Sequence, residues 1–164
     1  MTQGKRILRT IPSRSPEAGF SLPEMLLVIA IMAIFITFAG PAFTQSYRAY
    51  KVRSASQELT LALRAVRQVA VSTRAASSLI VDTGAGNYTW TDVKGKPRTW
   101  ALPVGVSFVS AAPSTITFAT NGTVSTGSAT LVLQGTVDFD RADRWTLDLN
   151  TVGRVASSYS VVTP

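Results

Sequence analysis

One carboxylate, Glu24, stands at the edge of an uncharged stretch of 19 residues, 25–43. A helix needs about 20 apolar residues to cross a bilayer, and a lone carboxylate inside lipid costs roughly 2.5 kcal/mol or more. Glu24 is therefore tolerable near the headgroups or beside a cation. Cleavage after Gly19 would create an amine at Phe20, and the amine of a neighbouring chain could meet this carboxylate. The chemistry predicted here is ion pairing between chains.

The amino-acid composition gives no support for catalysis or metal binding. The 164 residues include no cysteine and no histidine, so the serines and threonines have no imidazole base to form a nucleophile pair. The carboxylates of segment 138–143 lack the turn glycine and closing glutamate of a calcium-binding EF-hand, and Arg141 and Arg144 offset their charge. We expect a solvated hairpin loop there, no enzyme activity, no metal and no cofactor.

The charge distribution predicts how the chain lies in a membrane. Residues 1–19 carry four cations against Glu17, a net charge of +3 out of +7 for the whole chain. Positive charge before an apolar helix favours a cytoplasmic N-terminus, so we expect a single-pass inner-membrane protein with its C-terminal domain in the periplasm. An ordinary signal peptide cut after Ala42 and a plain membrane anchor are the alternatives. The apolar run exceeds the usual signal-peptide core, and neither alternative explains Glu24.

The block Gly19-Phe20-Ser21-Leu22-Pro23-Glu24, followed by the apolar run and by Pro41, resembles the signature of type IV pilins and pseudopilins. The resemblance implies that a prepilin peptidase cuts after Gly19 and methylates Phe20. It also implies that Glu24 pairs with the amine of an adjacent subunit and that Gly40 and Pro41 kink the helix. The implied partners are other major and minor pseudopilins in a hetero-oligomeric filament, the peptidase and an inner-membrane assembly platform.

The periodicity predicts an α+β fold in which a long helix packs on an antiparallel β-domain of two small sheets. Residues 1–19 form a leader, 20–43 a transmembrane helix, 44–76 its amphipathic continuation and 77–164 the β-domain. One helical stripe is apolar, and from residue 78 the period changes to 2, as in strands. The stripe consists of Val52, Leu59, Leu63, Val66 and Ala70.

Eight strands are predicted, at 78–81, 87–93, 98–102, 104–109, 115–119, 129–133, 144–149 and 154–162. Segment 120–130, rich in threonine, serine and glycine, is expected to be a mobile loop. The tryptophans Trp90, Trp100 and Trp145 could stack on nucleic-acid bases, but at strand spacing we assign them to the core or a sheet face.

Segments 116–122 and 145–155 resemble the GspH/FimT minor pilins, and so does the helix around 64–70. That subgroup implies a minor pseudopilin of a type II secretion system (its protein H). Such a subunit helps build the periplasmic pseudopilus that drives protein export across the outer membrane. The alternative is a type IV pilus minor pilin in pilus assembly or DNA uptake. DNA-binding members carry Gly-Arg-x-Arg, and segment 153–156 lacks the second arginine, which argues against nucleic acid.

If the chain does bind DNA, arginines supply the phosphate contacts, since cations provide most non-specific affinity. The candidates are Arg64, Arg67 and Arg154; Arg53 and Arg74 share the helical face of the first two. The alternative for this face is solvent, or contact with acidic loops of other subunits.

Overall fold

The computed structural model describes residues 19–163, with the side chains of 38–42 left out. The chain divides after Ala39 into two units, and each is described by itself. Within the described part, one helix, α1 (Leu22–Thr73), precedes eight strands. The strands are β1 (Ser77–Asp82), β2 (Asn87–Thr91), β3 (Pro97–Ala101), β4 (Val106–Ala112), β5 (Thr115–Phe118), β6 (Ala129–Asp138), β7 (Arg141–Leu149) and β8 (Val155–Val162).

Helix α1 is slightly shorter than predicted, beginning at Leu22 instead of Phe20 and ending at Thr73 instead of Ala76. Its end is set locally: Arg74 adopts a positive φ of 52°, and the Thr73 hydroxyl donates to the Val69 carbonyl at 2.7 Å. The positive φ ends the helical hydrogen-bond ladder, and the Thr73 hydroxyl adds a bond within the last turn.

Two expectations about the N-terminal part of the chain are a transmembrane segment and a helix kink. No helix among the described residues offers an apolar stretch of the length and hydropathy that a bilayer crossing demands. The kink expected at Gly40 and Pro41 lies outside the residues whose side chains the structure describes.

The strands form two four-stranded sheets, as predicted. The first sheet has the order β3-β2-β1-β5 and the second the order β4-β6-β7-β8. Every described pairing is antiparallel. Consecutive strands on short connections favour this arrangement. The edge strands are β3 and β5 in the first sheet and β4 and β8 in the second.

The core lies between the predicted helical stripe and both sheets. All five residues of the stripe are buried, and they pack in one cluster with side chains from the two sheets. Each buried large aliphatic side chain stabilises the fold by roughly 1.5–3 kcal/mol. The sheet residues deepest in this cluster are Leu79, Ile116, Phe118, Leu131, Leu133 and Leu147.

Gly135 in β6 allows the helix to approach the second sheet closely. A Cβ at this position would overlap the Cγ2 atom of Val52 and lie 3.1 Å from the Gly105 carbonyl oxygen. The close approach therefore requires a residue without a side chain at this position of the strand.

Two expectations about the β-domain are corrected. The loop expected at 138–143 is a tight turn, because β6 reaches Asp138 and β7 begins at Arg141. Segment 120–130 is not wholly a loose connection, since Val124 is buried and bridges to Phe118. The assignment of Trp100 to a sheet face holds: it is 41% exposed, because β3 is an edge strand, and it stacks on Trp90.

Candidate functional site

The predicted cleavage bond lies outside regular secondary structure, just before the helix. Gly19, Phe20 and Ser21 precede α1 and are exposed; Phe20 is 73% exposed. An added Cβ at Gly19 would meet nothing within 4 Å. A peptidase could therefore reach the bond between Gly19 and Phe20 without first unfolding secondary structure.

Ser21 immediately precedes the helix. Its carbonyl accepts hydrogen bonds from the N–H groups of Glu24, at 3.0 Å, and Met25, at 3.2 Å. The spacing from Ser21 to Glu24 is that of a capping box, and Pro23 falls in the first turn, where a missing N–H costs no helical bond. The local sequence thus fixes where the helix begins and places Glu24 in its first turn.

Glu24 is an exposed carboxylate without a cation partner among the described residues. The two ion pairs between residues 19 and 163 join Arg98 to Asp92, at 3.2 Å, and Arg141 to Asp143, at 3.1 Å. The positive end of the helix dipole favours a carboxylate at this position but contributes only a partial charge. Glu24 can therefore accept a full cation from another molecule.

The helix beyond Glu24 exposes large apolar side chains on all its faces. Phe35 and Ile36 are 70% and 71% exposed, and Met25, Leu26, Leu27 and Ile29 are each more than half exposed. Apolar surface left in water costs roughly 25 cal/mol per Å². Leaving this segment in water is therefore unfavourable.

The arginines proposed as DNA contacts do not form one patch. Arg64 and Arg154 are exposed, whereas Arg67 is half-buried and donates to the Gly153 carbonyl oxygen at 3.2 Å. Arg74 ends the helix, and Arg53 is exposed. Arg67 therefore joins the helix to the β7–β8 turn.

Two glycines make room for Arg67. Gly153 has a φ of +81°, and an added Cβ would lie 2.6 Å from the Gly122 carbonyl oxygen and 3.1 Å from Arg67 Nε. Gly122 has a φ of +80°, and its Cβ would lie 3.0 Å from the same Nε. The turns after β5 and β7 thus pack against one helical side chain. The Asn121-Gly122 and Gly153-Arg154 pairs in the sequence signal the turns but not their mutual contact.

Comparisons with known proteins add two findings. Residues 14–40 match the family described as the prokaryotic N-terminal methylation motif. The fold is similar to the type IV minor pilin FimU of Pseudomonas aeruginosa, with a TM-score of 0.53 and 20% identity over 66% of this chain and 89% of FimU. A second FimU crystal form gives 0.50.

The minor pseudopilin EpsH from the type 2 secretion system of Vibrio cholerae is also similar, with a TM-score of 0.48 and 14% identity over 70% of this chain and 98% of EpsH. No curated protein matches the chain. At these identities the structural likeness to FimU establishes the fold, and the motif establishes the type of N-terminus.

Residues 14–40 thus carry the prokaryotic N-terminal methylation motif, and the chain has a fold similar to that of a type IV minor pilin. The motif match includes Gly19, Phe20 and Glu24 and suggests a membrane-anchored, pilin-type N-terminus. The helix on two antiparallel sheets matches the pilin-like α+β fold.

The acidic β6–β7 turn of this pilin-like chain has a structural role. Asp143 is buried and accepts hydrogen bonds from Arg141 Nε, at 3.1 Å, and from the Tyr159 hydroxyl, at 3.0 Å. Asp138 accepts one from the Gln45 amide at 2.9 Å. No group of three possible metal ligands occurs among residues 19–163. Sequence reasoning missed the buried role of Asp143 because it placed this residue in a loop.

Proposed function

We propose that this chain is a minor pseudopilin of a type II secretion system, a structural subunit of the periplasmic pseudopilus that drives protein export. The observation that carries the proposal is the N-terminal arrangement. An accessible bond at Gly19, an exposed carboxylate at Glu24 and an uncovered apolar helix follow one another within one segment.

Each part of this arrangement serves one step of filament assembly. Cleavage after Gly19 by the prepilin peptidase releases the amine of Phe20, which is then methylated and remains a cation. In the filament, Glu24 accepts the amine of an adjacent pseudopilin, and helices of neighbouring subunits cover the apolar side chains. An unpaired carboxylate among apolar side chains is unfavourable. Neighbouring helices therefore favour the one displacement along their axes that brings Glu24 beside the amine.

Before assembly, lipid would cover the same apolar segment. The net charge of +3 in residues 1–19 favours a cytoplasmic leader, which places the β-domain in the periplasm and the cleavage bond on the cytoplasmic side. An inner-membrane assembly platform would then transfer the subunit from lipid into the filament, where it meets other major and minor pseudopilins.

The secretion role is favoured over the pilus role by the β7–β8 turn. Segment 153–156 offers Arg154, but Ala156 stands where DNA-binding members of the GspH/FimT subgroup have a second arginine. Arg67 is occupied by the Gly153 carbonyl. The turn thus provides one exposed arginine, too little charge for a phosphate-binding patch.

The maturation step is tested by mass spectrometry of the chain purified from its host. The mature protein should begin at Phe20 and carry one additional methyl group. Replacing Gly19 with leucine should leave the leader attached, because the bulky side chain blocks the peptidase. A first residue other than Phe20 in the wild-type protein would overturn the processing step.

The secretion role is tested by deleting the gene from its host and restoring it on a plasmid. Deletion should abolish export of the folded cargo and leave surface pili and DNA uptake unchanged. Loss of pili or of transformation, with export intact, would assign the chain to a type IV pilus.

A DNA-binding minor pilin is the second candidate, and one surface favours it. Exposed Arg53 and Arg64 line a cavity of about 510 Å³ together with Trp145, and arginines beside an aromatic ring are a common element of single-strand binding sites. Gel shifts of the full chain in detergent test this role across salt concentrations. Binding that falls steeply with salt and weakens in Arg64→Gln would support it, and no binding at low salt would exclude it.

A further inference from the structure

An aromatic cavity of about 260 Å³ lies between α1 and the β2–β3 hairpin. The rings of Trp90 and Trp100 stack with their centroids 6.3 Å apart and an interplanar angle of 11°. Tyr88 is paired directly with Trp100 across the two strands, so the three aromatic side chains share the face of the hairpin that is turned toward the helix. Leu61 and Glu58 complete the lining from the helix.

Glu58 is the carboxylate of this cavity, and it has no cation partner among the described residues. It is exposed and takes no part in the ion pairs between residues 19 and 163. The arginine on the same face of the hairpin, Arg98, is already bonded to Asp92 at 3.2 Å. The negative charge at the rim of the cavity is therefore uncompensated within this part of the chain.

The electrostatics of the cavity favour a cation. Burial, and secondly the charge of Glu58, raise the pKa of Tyr88 from 10.0 to about 12, so Tyr88 stays neutral. Indole faces carry negative electrostatic potential and attract cations placed over them. A purely apolar occupant would strip water from Glu58 without replacing it, and desolvation of an unpaired charge is unfavourable.

We propose that this cavity binds the guanidinium of an arginine side chain from a partner protein that packs against this face. Guanidinium is planar, stacks on indole and donates to carboxylates in a fork, which fits a tryptophan stack next to one glutamate. Leu61, 61% exposed, offers an apolar contact for the aliphatic stem of the same side chain. The site is independent of Glu24 and of the type of filament.

The tryptophans give a direct readout. The chain has three of them, so its indole N–H groups give three signals in a nitrogen–proton NMR spectrum, assigned by changing each tryptophan in turn to phenylalanine. Trp145 lies on β7 of the other sheet and serves as an internal reference. The ¹⁵N-labelled full chain in detergent micelles is titrated with N-acetyl-arginine amide and, separately, with the neutral isostere N-acetyl-citrulline amide.

Saturable shifts of the Trp90 and Trp100 signals by the arginine derivative, with Trp145 unmoved, are expected. Glu58→Gln should weaken this binding about five-fold, the scale of a partly solvated ion pair. Asp140→Asn, the same charge change at the β6–β7 turn, should leave it unchanged. Both positions are exposed, so neither substitution threatens folding.

Three results would each overturn the proposal. Equal shifts with the citrulline derivative would show that the cavity recognises shape without charge. Equal weakening by Asp140→Asn would show that only the total charge matters. Movement of all three indole signals, or of none at saturating ligand, would show that the cavity is no site for arginine.

Discussion

The assembly role proposed for Glu24 can be separated from any role in the start of the helix by two single substitutions. Glu24 occupies the glutamate position of a capping box that begins at Ser21, and the Ser21 carbonyl accepts from Glu24 N–H at 3.0 Å. Glutamine also serves at this position of the box. Glu24→Gln therefore keeps the residue type of the box and the side-chain size and removes the charge, whereas Ser21→Ala removes the hydroxyl before the helix and keeps the charge.

The expected size of the effect follows from two opposing terms. Two unit charges about 4 Å apart attract by about 4 kcal/mol in the effective dielectric near a protein surface. Moving a lone carboxylate into lipid or an apolar bundle costs roughly 2.5–3.5 kcal/mol, and less near its edge, where Glu24 stands. The pair thus contributes a net of about 1–4 kcal/mol, and its loss should reduce filament incorporation by about 5-fold to about 10³-fold.

The assay is incorporation of the full chain into sheared filaments when it is expressed with the other pseudopilins and the peptidase. Glu24→Gln should be cleaved after Gly19 and retained in the membrane like wild type, yet be depleted from the filament fraction. Ser21→Ala should incorporate normally, because a lost cap costs about 1 kcal/mol of helix stability and no intermolecular charge.

Normal incorporation of Glu24→Gln would refute the ion-pair reasoning. Equal depletion of Ser21→Ala would assign the effect to the helix start instead.

Two further predictions concern the β-domain. Gly153→Ala should lower the free energy of unfolding, measured in urea, more than Gly127→Ala does. Both glycines have a positive φ, but only at Gly153 would the new Cβ meet a backbone oxygen, 2.6 Å away. Equal losses of stability would show that backbone strain alone matters. Because the pKa of Tyr88 is raised to about 12, wild type should lose about 2–3 kcal/mol relative to Tyr88→Phe as the pH rises from about 10 to about 12. Below pH 10 the stabilising contribution of Tyr88 is fully present. If the difference in unfolding free energy between wild type and Tyr88→Phe stayed constant from pH 10 to about 12, the burial assigned to Tyr88 would be wrong.

The parts of the fold that follow from local periodicity could be predicted from sequence. The stripe on α1 was recognisable because apolar residues recur at helical spacing, and all five residues are buried. The eight strands could be placed to within a few residues because alternation and turn residues are also local signals. The N-terminal motif was recognisable for a similar reason, since the matched residues 14–40 form one continuous stretch.

Interactions between distant segments could not be predicted. Arg67 looked like a surface cation, yet its guanidinium reaches the carbonyl of Gly153, 86 residues away. Asp143 looked like a loop residue, yet it is buried between Arg141 and Tyr159. In both cases a polar side chain finds a partner that only the packing of strands on the helix brings within reach.

The acidic residues of the chain differ in whether a cation partner lies within the chain or must come from another molecule. Asp92 and Asp143 are neutralised by arginines of their own domain and so stabilise the fold. The two glutamates beyond residue 19, Glu24 and Glu58, both lie on α1 and are in no ion pair of the described residues. An exposed carboxylate beside apolar or aromatic surface adds nothing to folding until a cation arrives, so both are suited to association. Because they lie 34 residues apart on the helix, Glu24→Gln should leave the arginine response of Trp100 intact, and Glu58→Gln should leave maturation intact.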